Sequence, residues 1–167
     1  MKWLIASDIH GSSLYCRRLL EAWDRERADR MLLLGDVLYH GPRNDLPEGY
    51  APKEVIALLN ARKNAIYCVR GNCEAEVDQM VLEFPVMADY LLLPVGEKCI
   101  YATHGHTHIP VCREHEDYVY CNPGSVSIPK ENSPRSYMVM EDGLFTWKTL
   151  EGEAFHVFDW RIRKQET

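Results

Sequence analysis

Short apolar segments in the first half of the chain are each followed by glycine or polar residues. The segments are residues 2–7, 31–36 and 65–72. Each is too short for a helix of ordinary length and rich in apolar residues, so each predicts a strand of a buried sheet. The polar residues then fall at the carboxyl ends of the three predicted strands.

Helical patterns separate these strands. A second helix is predicted from about residue 52 to 62, because Pro52 is well placed in a first turn. The resulting β-α-β-α-β order is typical of an α/β layered fold with a largely parallel sheet. The first helix would be capped by Ser12 or Ser13, and its apolar stripe has the i, i+3, i+4, i+7 spacing of an amphipathic helix, at Cys16, Leu19, Leu20 and Trp23.

The second half of the chain changes to strand patterns. Helical periodicity nearly ends after about residue 85, and Asp142-Gly143 predicts a tight hairpin. The length of 167 residues fits one core, so we predict a single domain over residues 1–167, with residues 163–167 frayed. The strand-like segments are YLLLPV, KCIYATH, DYVYCN, SYMVMED, LFTWKTL and AFHVFDW.

Composition is that of an ordinary globular protein, with 46% hydrophobic and 26% charged residues. No apolar run approaches the roughly 18 residues of a membrane span, and the N-terminal run is too short for a signal peptide. The six cysteines form no Cys-x-x-Cys pair, so we expect reduced thiols and a cytoplasmic location. A net charge of −6 argues against duplex nucleic acid as the main partner.

Candidate metal ligands stand at the strand ends. Ligands of open α/β sheets bind at the carboxyl ends of the strands, so these side chains can converge although they are distant in sequence. Carboxylate, imidazole and amide groups bind borderline or hard divalent cations, and about seven ligands suit two ions better than one. The candidates are Asp8, His10, Asp36 and Asn72 in the first half, and His104, His106 and His108 in the segment THGHTH.

Each motif alone has an ordinary alternative. Asp-x-His after a strand is usually a turn with a surface histidine, GNCE suits a turn and helix cap, and dense histidines occur in surface clusters. The order of the motifs (DxH, GD, GN and GH-x-H, each after a strand) resembles the calcineurin-like metallophosphoesterase superfamily. The YfcE-type bacterial phosphodiesterases are similar along most of the chain, through SDIHGS, GDVLYHGPRNDLPEGYAP, VRGNCE, EVDQM, THGH, GHTH-PV and NPGSVSIPK.

The resemblance implies a four-layer α-β-β-α sandwich and a metal-dependent phosphodiesterase acting on a small phosphodiester. It also implies two divalent ions, usually Mn²⁺ in this family, although the ligand types also allow Zn²⁺, Fe²⁺ or Co²⁺. Two ions about 3.5–4 Å apart would provide a bridging hydroxide that attacks phosphorus. In that family Asp8 and His10 would bind the first ion, Asp36 both, and Asn72 the second, while His106 and His108 would give one histidine to each ion and His104 would complete the second site.

The resemblance also names residues that would act on the substrate. Asn72, His104 and Cys73 are the catalytic candidates, and Cys73 stands where many relatives have a histidine that assists the leaving group. A small packing residue is the alternative for Cys73. Arg43 is a candidate for binding substrate phosphate, although a solvated loop arginine is the commoner case. Glu74 stands where the family usually has aspartate and would support the ligands or cap a helix.

The chain departs from the family at THGHTH. Relatives carry THGH and, later, GHTH, with a helix and a strand between them. Here the two motifs are fused, so a helix-strand unit on the order of 20 residues is missing. The sheet would then close up, be completed by a neighbouring chain, or weaken. We expect His106 and His108 to be retained ligands and His104 to be the less certain one.

Two functions follow from these features. Retention of the ligand candidates favours the phosphodiesterase. The fused motif favours a catalytically weak or inactive scaffold or binding protein on the same fold, for which a eukaryotic retromer subunit with a similar fold is a precedent. The exposed sheet edges make a homodimer or higher homo-oligomer plausible.

Overall fold

The computed structural model describes residues 1–162. The terminal residues 163–167, which we expected to be frayed, lie outside that range. In chain order the elements are β1 Lys2–Ala6, α1 Ser13–Glu26, β2 Arg30–Leu33, α2 Pro52–Asn60, β3 Ile66–Cys68, α3 Glu76–Val81, β4 Leu91–Val95, β5 Lys98–Ala102, β6 Pro110–Glu114, β7 Val119–Pro123, β8 Ser136–Glu141, β9 Leu144–Thr149 and β10 Ala154–Asp159.

A six-stranded sheet forms the centre of the molecule, in the order β10-β9-β8-β1-β2-β3. Strands β1, β2 and β3 are parallel, as the β-α-β-α-β pattern predicts, and the other pairs are antiparallel. The carboxyl ends of β1, β2 and β3 therefore lie along one edge. The predicted hairpin at Asp142-Gly143 joins β8 to β9, and both turn residues have positive φ.

The predicted helices form on one face of this sheet. Ser12 caps α1 by accepting a hydrogen bond from the backbone N–H of Tyr15 at 3.2 Å, and Pro52 opens α2. Leu19, Trp23 and Leu59 pack with the sheet residue Leu4 in a first apolar core. No helix within residues 1–162 is long and apolar enough to cross a membrane.

The second sheet is divided into two hairpins, β4-β5 and β6-β7. Within residues 1–162 no strand joins them, so the sheet does not close up around the missing unit. Their inner faces contact the six-stranded sheet through a second apolar core that includes Trp3, Leu32 and Trp147. Among the described elements, the three helices lie on the side of the first core, and the outer side of the hairpins leaves Leu92 and Tyr101 more than half exposed.

This architecture confirms the α/β class and the helix-sheet-sheet order of the layers. The expected α-β-β-α sandwich has a second helical layer, outside the second sheet. The described residues place no helix there. That difference is where a missing helix-strand unit would have its effect, because such a unit supplies one strand and its covering helix. The sequence patterns predict every strand of the first sheet but not β6, which directly follows the histidine motif.

Candidate metal centre

The turn after β1 carries Asp8 and His10 into the interior. Asp8 is fully buried and His10 is 1% exposed. Both carboxylate oxygens of Asp8 and the Nε2 atom of His10 are buried without a hydrogen-bond partner. A buried carboxylate without hydrogen bonds is unfavourable unless a positive charge compensates it, so this turn is a candidate cation site.

Positive φ angles are concentrated at the predicted ligands. Nine residues other than glycine have positive φ within residues 1–162, and five of them are predicted ligands. This left-handed conformation is uncommon for residues with a Cβ atom and persists where the surrounding structure imposes it. The backbone therefore bends at the ligands themselves, with φ of 62° at Asp8, 47° at His10, 53° at Asp36, 59° at His106 and 62° at His108.

Three histidines direct their Nε2 atoms towards the carboxylates, and their Nδ1 atoms contact backbone carbonyl oxygens. The Nδ1 atom of His10 contacts the carbonyl oxygen of Tyr39 at 2.7 Å, and that of His108 contacts Ile128 at 2.7 Å. His104 makes the same contact with Leu34. A backbone acceptor at Nδ1 fixes the proton there and leaves Nε2 free as a metal ligand.

The free nitrogens converge on Asp8 and Asp36. His108 Nε2 lies 3.4 Å from Asp8 Oδ1, and His104 Nε2 lies 3.5 Å from Asp36 Oδ2. His10 Nε2 lies between the two carboxylates, 3.5 Å from Asp8 Oδ1 and 3.7 Å from Asp36 Oδ2. The first group, around Asp8, contains His10 and His108.

A second group forms around Asn72. Its Oδ1 atom lies 2.6 Å from Nδ1 of His106 and 3.1 Å from Nε2 of His104. Through His104 this group reaches Asp36, so Asp36 lies between the two groups. The structure thus brings all seven predicted ligands to one edge of the sheet.

The fused THGHTH segment is a loop between β5 and β6, not an extended strand. Positive φ at His106 and His108 turns the chain twice, so the three rings point to different partners. His104, which we expected to be the least certain ligand, makes the closest approach of the three to Asp36. The loss of the strand between the motifs has not separated their histidines from the carboxylates.

An ion pair with His104 compensates the charge of Asp36. Burial alone would raise the pKa of Asp36 and lower that of His104. Their hydrogen bond and mutual charge outweigh burial, so the pKa of Asp36 falls to about 2 and that of His104 rises to about 9. Without a metal ion, a protonated His104 supplies one positive charge at this position.

Glu74 holds the turns that carry Asp36 and Asn72. Its buried carboxylate accepts hydrogen bonds from the backbone N–H groups of Asp36 at 2.9 Å, Val37 at 2.6 Å and Gly71 at 2.5 Å. A Cβ atom at Gly71 would lie 2.2 Å from Asp36 Oδ1, so only glycine fits there. The sequence suggested a supporting role for Glu74, but its contacts with Asp36 and Val37 are distant in sequence and no local pattern predicts them.

The NPGSVS segment begins in the last two residues of β7 and supports both the turn after β1 and the loop of residues 103–109, here called the histidine loop. Ser125 and Ser127 donate hydrogen bonds from Oγ to the carbonyl oxygen of Asp8, at 3.1 and 2.9 Å. Asn122 donates from Nδ2 to the carbonyl oxygen of Gly105 and to Oγ1 of Thr107, both at 3.1 Å. This agrees with a structural rather than catalytic role for the segment.

A cleft of about 310 Å³ opens next to Asp36, Asn72 and His106. Arg43 and Lys130 line it, and Lys130 donates to Asn44 Oδ1 at 3.2 Å. Two cationic side chains at this cleft suit an anionic ligand, and sequence reasoning had found only the first. A larger hollow of about 480 Å³ near Trp23 and Arg62 lies away from the candidate ligands.

Cys73 lies on the wall of the same cleft. Its backbone N–H donates to Asp36 Oδ1 at 2.8 Å, and its Sγ atom lies within 4.8 Å of ligand atoms of His10 and Asp36. Burial, together with the charge of Asp36, raises the pKa of the Cys73 thiol to about 12. The thiol therefore carries its proton at neutral pH in the metal-free protein.

The donor set fits divalent metal ions. It combines two carboxylates, one amide oxygen and four imidazoles, the mixture that borderline and hard divalent cations accept. The Asp8 oxygens are an independent observation, because they are buried and no group of residues 1–162 donates a hydrogen bond to them. The residues would hold a metal ion in each of the two groups, with Asp36 between them.

Comparisons with known proteins agree with this geometry. Residues 95–142 match the calcineurin-like phosphoesterase superfamily domain. The chain is 40% identical to the phosphodiesterase YfcE of Escherichia coli strain K12, over 92% of this chain and 95% of that protein. The alignment extends over 174 positions, more than the 167 residues of the chain, so the relative contains residues that have no counterpart here.

Solved structures extend the comparison to the fold. The phosphoesterase YfcE from E. coli has a TM-score of 0.91 with this chain at 38% identity, covering 95% of this chain and 98% of that one. An archaeal phosphodiesterase and Vps29 of Chaetomium thermophilum both have TM-scores of 0.60, at 19% and 14% identity, and each match covers 95% of this chain, with 100% and 96% of the other covered. Those two share only the fold. The chain itself belongs to the calcineurin-like phosphoesterase superfamily and, within it, to the YfcE type.

Proposed function

We propose that this chain is a metal-dependent phosphodiesterase that hydrolyses a small phosphodiester at a dinuclear centre. The observation that carries the proposal is the convergence of three histidine Nε2 atoms on Asp8 and Asp36, with both Asp8 oxygens buried and without a hydrogen bond in residues 1–162. The likeness to YfcE over most of both chains supports it. The proposal treats residues 1–167 as one domain.

The chain's own residues define two metal positions. Asp8, His10 and His108 would hold one ion, and Asn72, His104 and His106 the other, with Asp36 shared. Two divalent ions bound there, Mn²⁺ first among the candidates, would lower the pKa of a shared water to give a hydroxide nucleophile and would neutralise phosphate oxygens. Glu74 and the carbonyl acceptors at Nδ1 keep the ligands in place before the substrate binds.

Arg43 and Lys130, which line the cleft beside the candidate ligands, would bind the substrate. Both carry positive charge where the cleft opens from the candidate ligands, and phosphate recognition by such side chains depends on charge-assisted hydrogen bonds. Their position favours an anionic diester over a neutral ester. Because the cleft is open and small, the substrate class is a small diester rather than duplex nucleic acid.

Cys73 would face the leaving group. A thiol is a weaker proton donor than the imidazolium that many relatives have there, so diesters with good leaving groups should react best. Replacing Cys73 with histidine should then raise turnover of diesters with poor leaving groups. Unchanged turnover would show that Cys73 only fills space.

Hydrolysis of bis-p-nitrophenyl phosphate with added Mn²⁺ tests the proposal. We expect Mn²⁺-dependent turnover that is lost in Asp36→Asn and retained in the control Asp89→Asn, because Asp89 is exposed and outside the candidate centre. No turnover by the parent protein, with one ion or none bound, would favour the scaffold alternative. The fold alone does not choose between them, since an archaeal phosphodiesterase and Vps29 share it equally.

We further propose a cytoplasmic location and self-association. The exposed aromatic pair Tyr90 and Tyr101, whose rings stack at 5.1 Å on the outer side of the β4-β5 hairpin, is a candidate contact between copies. Sedimentation equilibrium of the full chain measures the oligomeric state, and a monomer at all concentrations would refute the self-association.

A further inference from the structure

The β6-β7 hairpin carries two cysteines that lie directly opposite each other. Cys112 of β6 pairs with Cys121 of β7 in the antiparallel register. Both thiols are free, and their sulfur atoms are 4.0 Å apart. Neither residue belongs to the candidate metal centre, so the proposed function gives the pair no role.

The pair is of the type in which the two chains approach most closely. At the turn, the backbone N–H of His115 donates to the carbonyl oxygen of Tyr118 at 2.9 Å. Hydrogen-bonded and non-hydrogen-bonded pairs alternate along an antiparallel ladder, so Cys112 and Cys121 form a non-hydrogen-bonded pair. At the far end Pro110 opposes Pro123. Proline has no backbone N–H group, so this pair is also non-hydrogen-bonded, as the alternation requires. Such pairs have Cα atoms about 4.5 Å apart, within the range that a disulfide spans.

The hairpin itself is short of stabilising neighbours. Within residues 1–162, β6 and β7 form a two-stranded sheet that pairs with no other strand. An isolated two-stranded hairpin is marginally stable in water. Packing of Cys112 and Cys121 against the second apolar core holds its inner face. A covalent link between the two strands would therefore stabilise the element that has lost a neighbouring strand.

We propose that Cys112 and Cys121 form a reversible cross-strand disulfide when the protein meets a small-molecule disulfide oxidant. The Cys112 sulfur, as thiolate, attacks one sulfur of the oxidant R–S–S–R, forming a mixed disulfide and releasing RS⁻, which takes up a proton. Cys121 then loses its proton and attacks the Cys112 sulfur, releasing the second RS⁻. Two protein thiols are oxidised to one disulfide, and the oxidant is reduced to two thiols.

The proposed steps require one thiol to react first and the other to resolve the mixed disulfide, and the two thiols differ accordingly. Cys112 is the less buried of the two. Burial raises the pKa of both thiols, but the contact between them lowers that of Cys112 and raises that of Cys121 further. Cys112 is thus the better first nucleophile, and Cys121 the resolving thiol.

The disulfide would also restrain β7, the strand that supports the histidine loop. Cys121 precedes Asn122, whose side chain donates to Gly105 and Thr107 in that loop. The carbonyl oxygen of Asn122 accepts a hydrogen bond from Trp147 Nε1 at 2.7 Å, which ties β7 to the six-stranded sheet. Oxidation would fix β6 to this anchored strand.

Peptide mapping of the full chain after treatment with oxidised glutathione tests the proposal. Trypsin cleaves after Arg113, so the disulfide would join peptide 99–113 to peptide 114–130. Because Cys99 lies in the first peptide too, the experiment is repeated in Cys99→Ser, in which the linked pair must persist. It must be lost in Cys112→Ser. Glutathione adducts alone, or a link that depends on Cys99, would overturn the proposal.

Thermal unfolding of the same samples tests the stabilisation. We expect the melting temperature to rise by about 5 °C on oxidation, because the disulfide closes a loop of about ten residues in the unfolded chain. Dithiothreitol should reverse the rise, and Cys112→Ser should not show it. A linked protein that melts at the same temperature or lower would refute a stabilising role for the disulfide.

Discussion

Asp8 carries the more deeply buried of the two candidate carboxylates. Neither oxygen has a hydrogen-bond partner within residues 1–162, its φ is positive, and its carbonyl oxygen accepts hydrogen bonds from the Ser125 and Ser127 hydroxyls. No stability argument explains such a residue, because a neutral side chain of the same size would be easier to bury. A metal ion is the partner that would compensate it.

Replacing Asp8 with asparagine should separate stability from metal binding. We expect the metal-free variant to unfold at the same temperature as the parent protein or higher, since an amide costs less to bury than an unpaired carboxylate. Added Mn²⁺ should raise the melting temperature of the parent by roughly 5–10 °C and that of the variant by much less. Asp89→Asn is the matched control, and an equal Mn²⁺ effect in Asp8→Asn would contradict the assigned role.

At the scale of elements, the histidine loop depends on the hairpin beside it. Gly105 lies between two candidate ligands, and a Cβ atom there would lie 2.7 Å from Asn122 Nδ2. Gly105→Ala should push the loop away from the carboxylates and lower kcat/KM by about 100-fold, the effect of a misplacement near 1 Å. Gly96→Ala is the control, because it adds a methyl group at a positive-φ turn with nothing within 4 Å.

The two glycine variants should therefore fail in different ways. Gly96→Ala should cost roughly 1–2 kcal/mol of unfolding free energy and leave kcat/KM unchanged. If Gly105→Ala keeps the parent's kcat/KM, the close approach of Asn122 does not position the histidines.

Elements were predictable from the sequence to the extent that their signals were local. The Ser12 cap, Pro52 and the Asp142-Gly143 turn act over a few residues, and the structure confirms all three. The division of the second sheet was not predictable, because strand patterns do not state which strands pair. In the candidate site, the sequence predicts the metal ligands from their residue types. It does not predict the hydrogen bonds of Glu74 or the position of Lys130 in the cleft, because both depend on contacts between distant parts of the chain.

At the scale of the whole molecule, Glu26 joins the helical layer to the central sheet. Its buried carboxylate, at the end of α1, accepts hydrogen bonds from Tyr137 of β8 at 2.8 Å and from Lys148 of β9 at 2.8 and 2.9 Å. Burial alone would raise the pKa of Glu26, but these contacts outweigh burial and lower it below 4.5. The carboxylate therefore stabilises the fold when it is ionised.

This contribution has a defined pH dependence. Because the folded pKa lies below the unfolded one, the stabilisation is fully present above about pH 4.5 and is lost as pH falls through the folded value. Glu26→Gln should lower the unfolding free energy at pH 7 by about 2–3 kcal/mol, and the difference from the parent should shrink towards pH 3. Urea denaturation at several pH values measures it, and a pH-independent difference would contradict the ionic role of Glu26.

The proposed activity requires that a chain lacking a helix-strand unit still forms both groups of metal ligands, around Asp8 and around Asn72. In the structure the fused segment brings His104 to Asp36, His106 to Asn72 and His108 to Asp8, so neither group lacks its histidines. The most direct measurement is the number of Mn²⁺ ions bound per chain at equilibrium dialysis. We expect two ions per chain, and a plateau at one ion or none would show that the centre is not dinuclear.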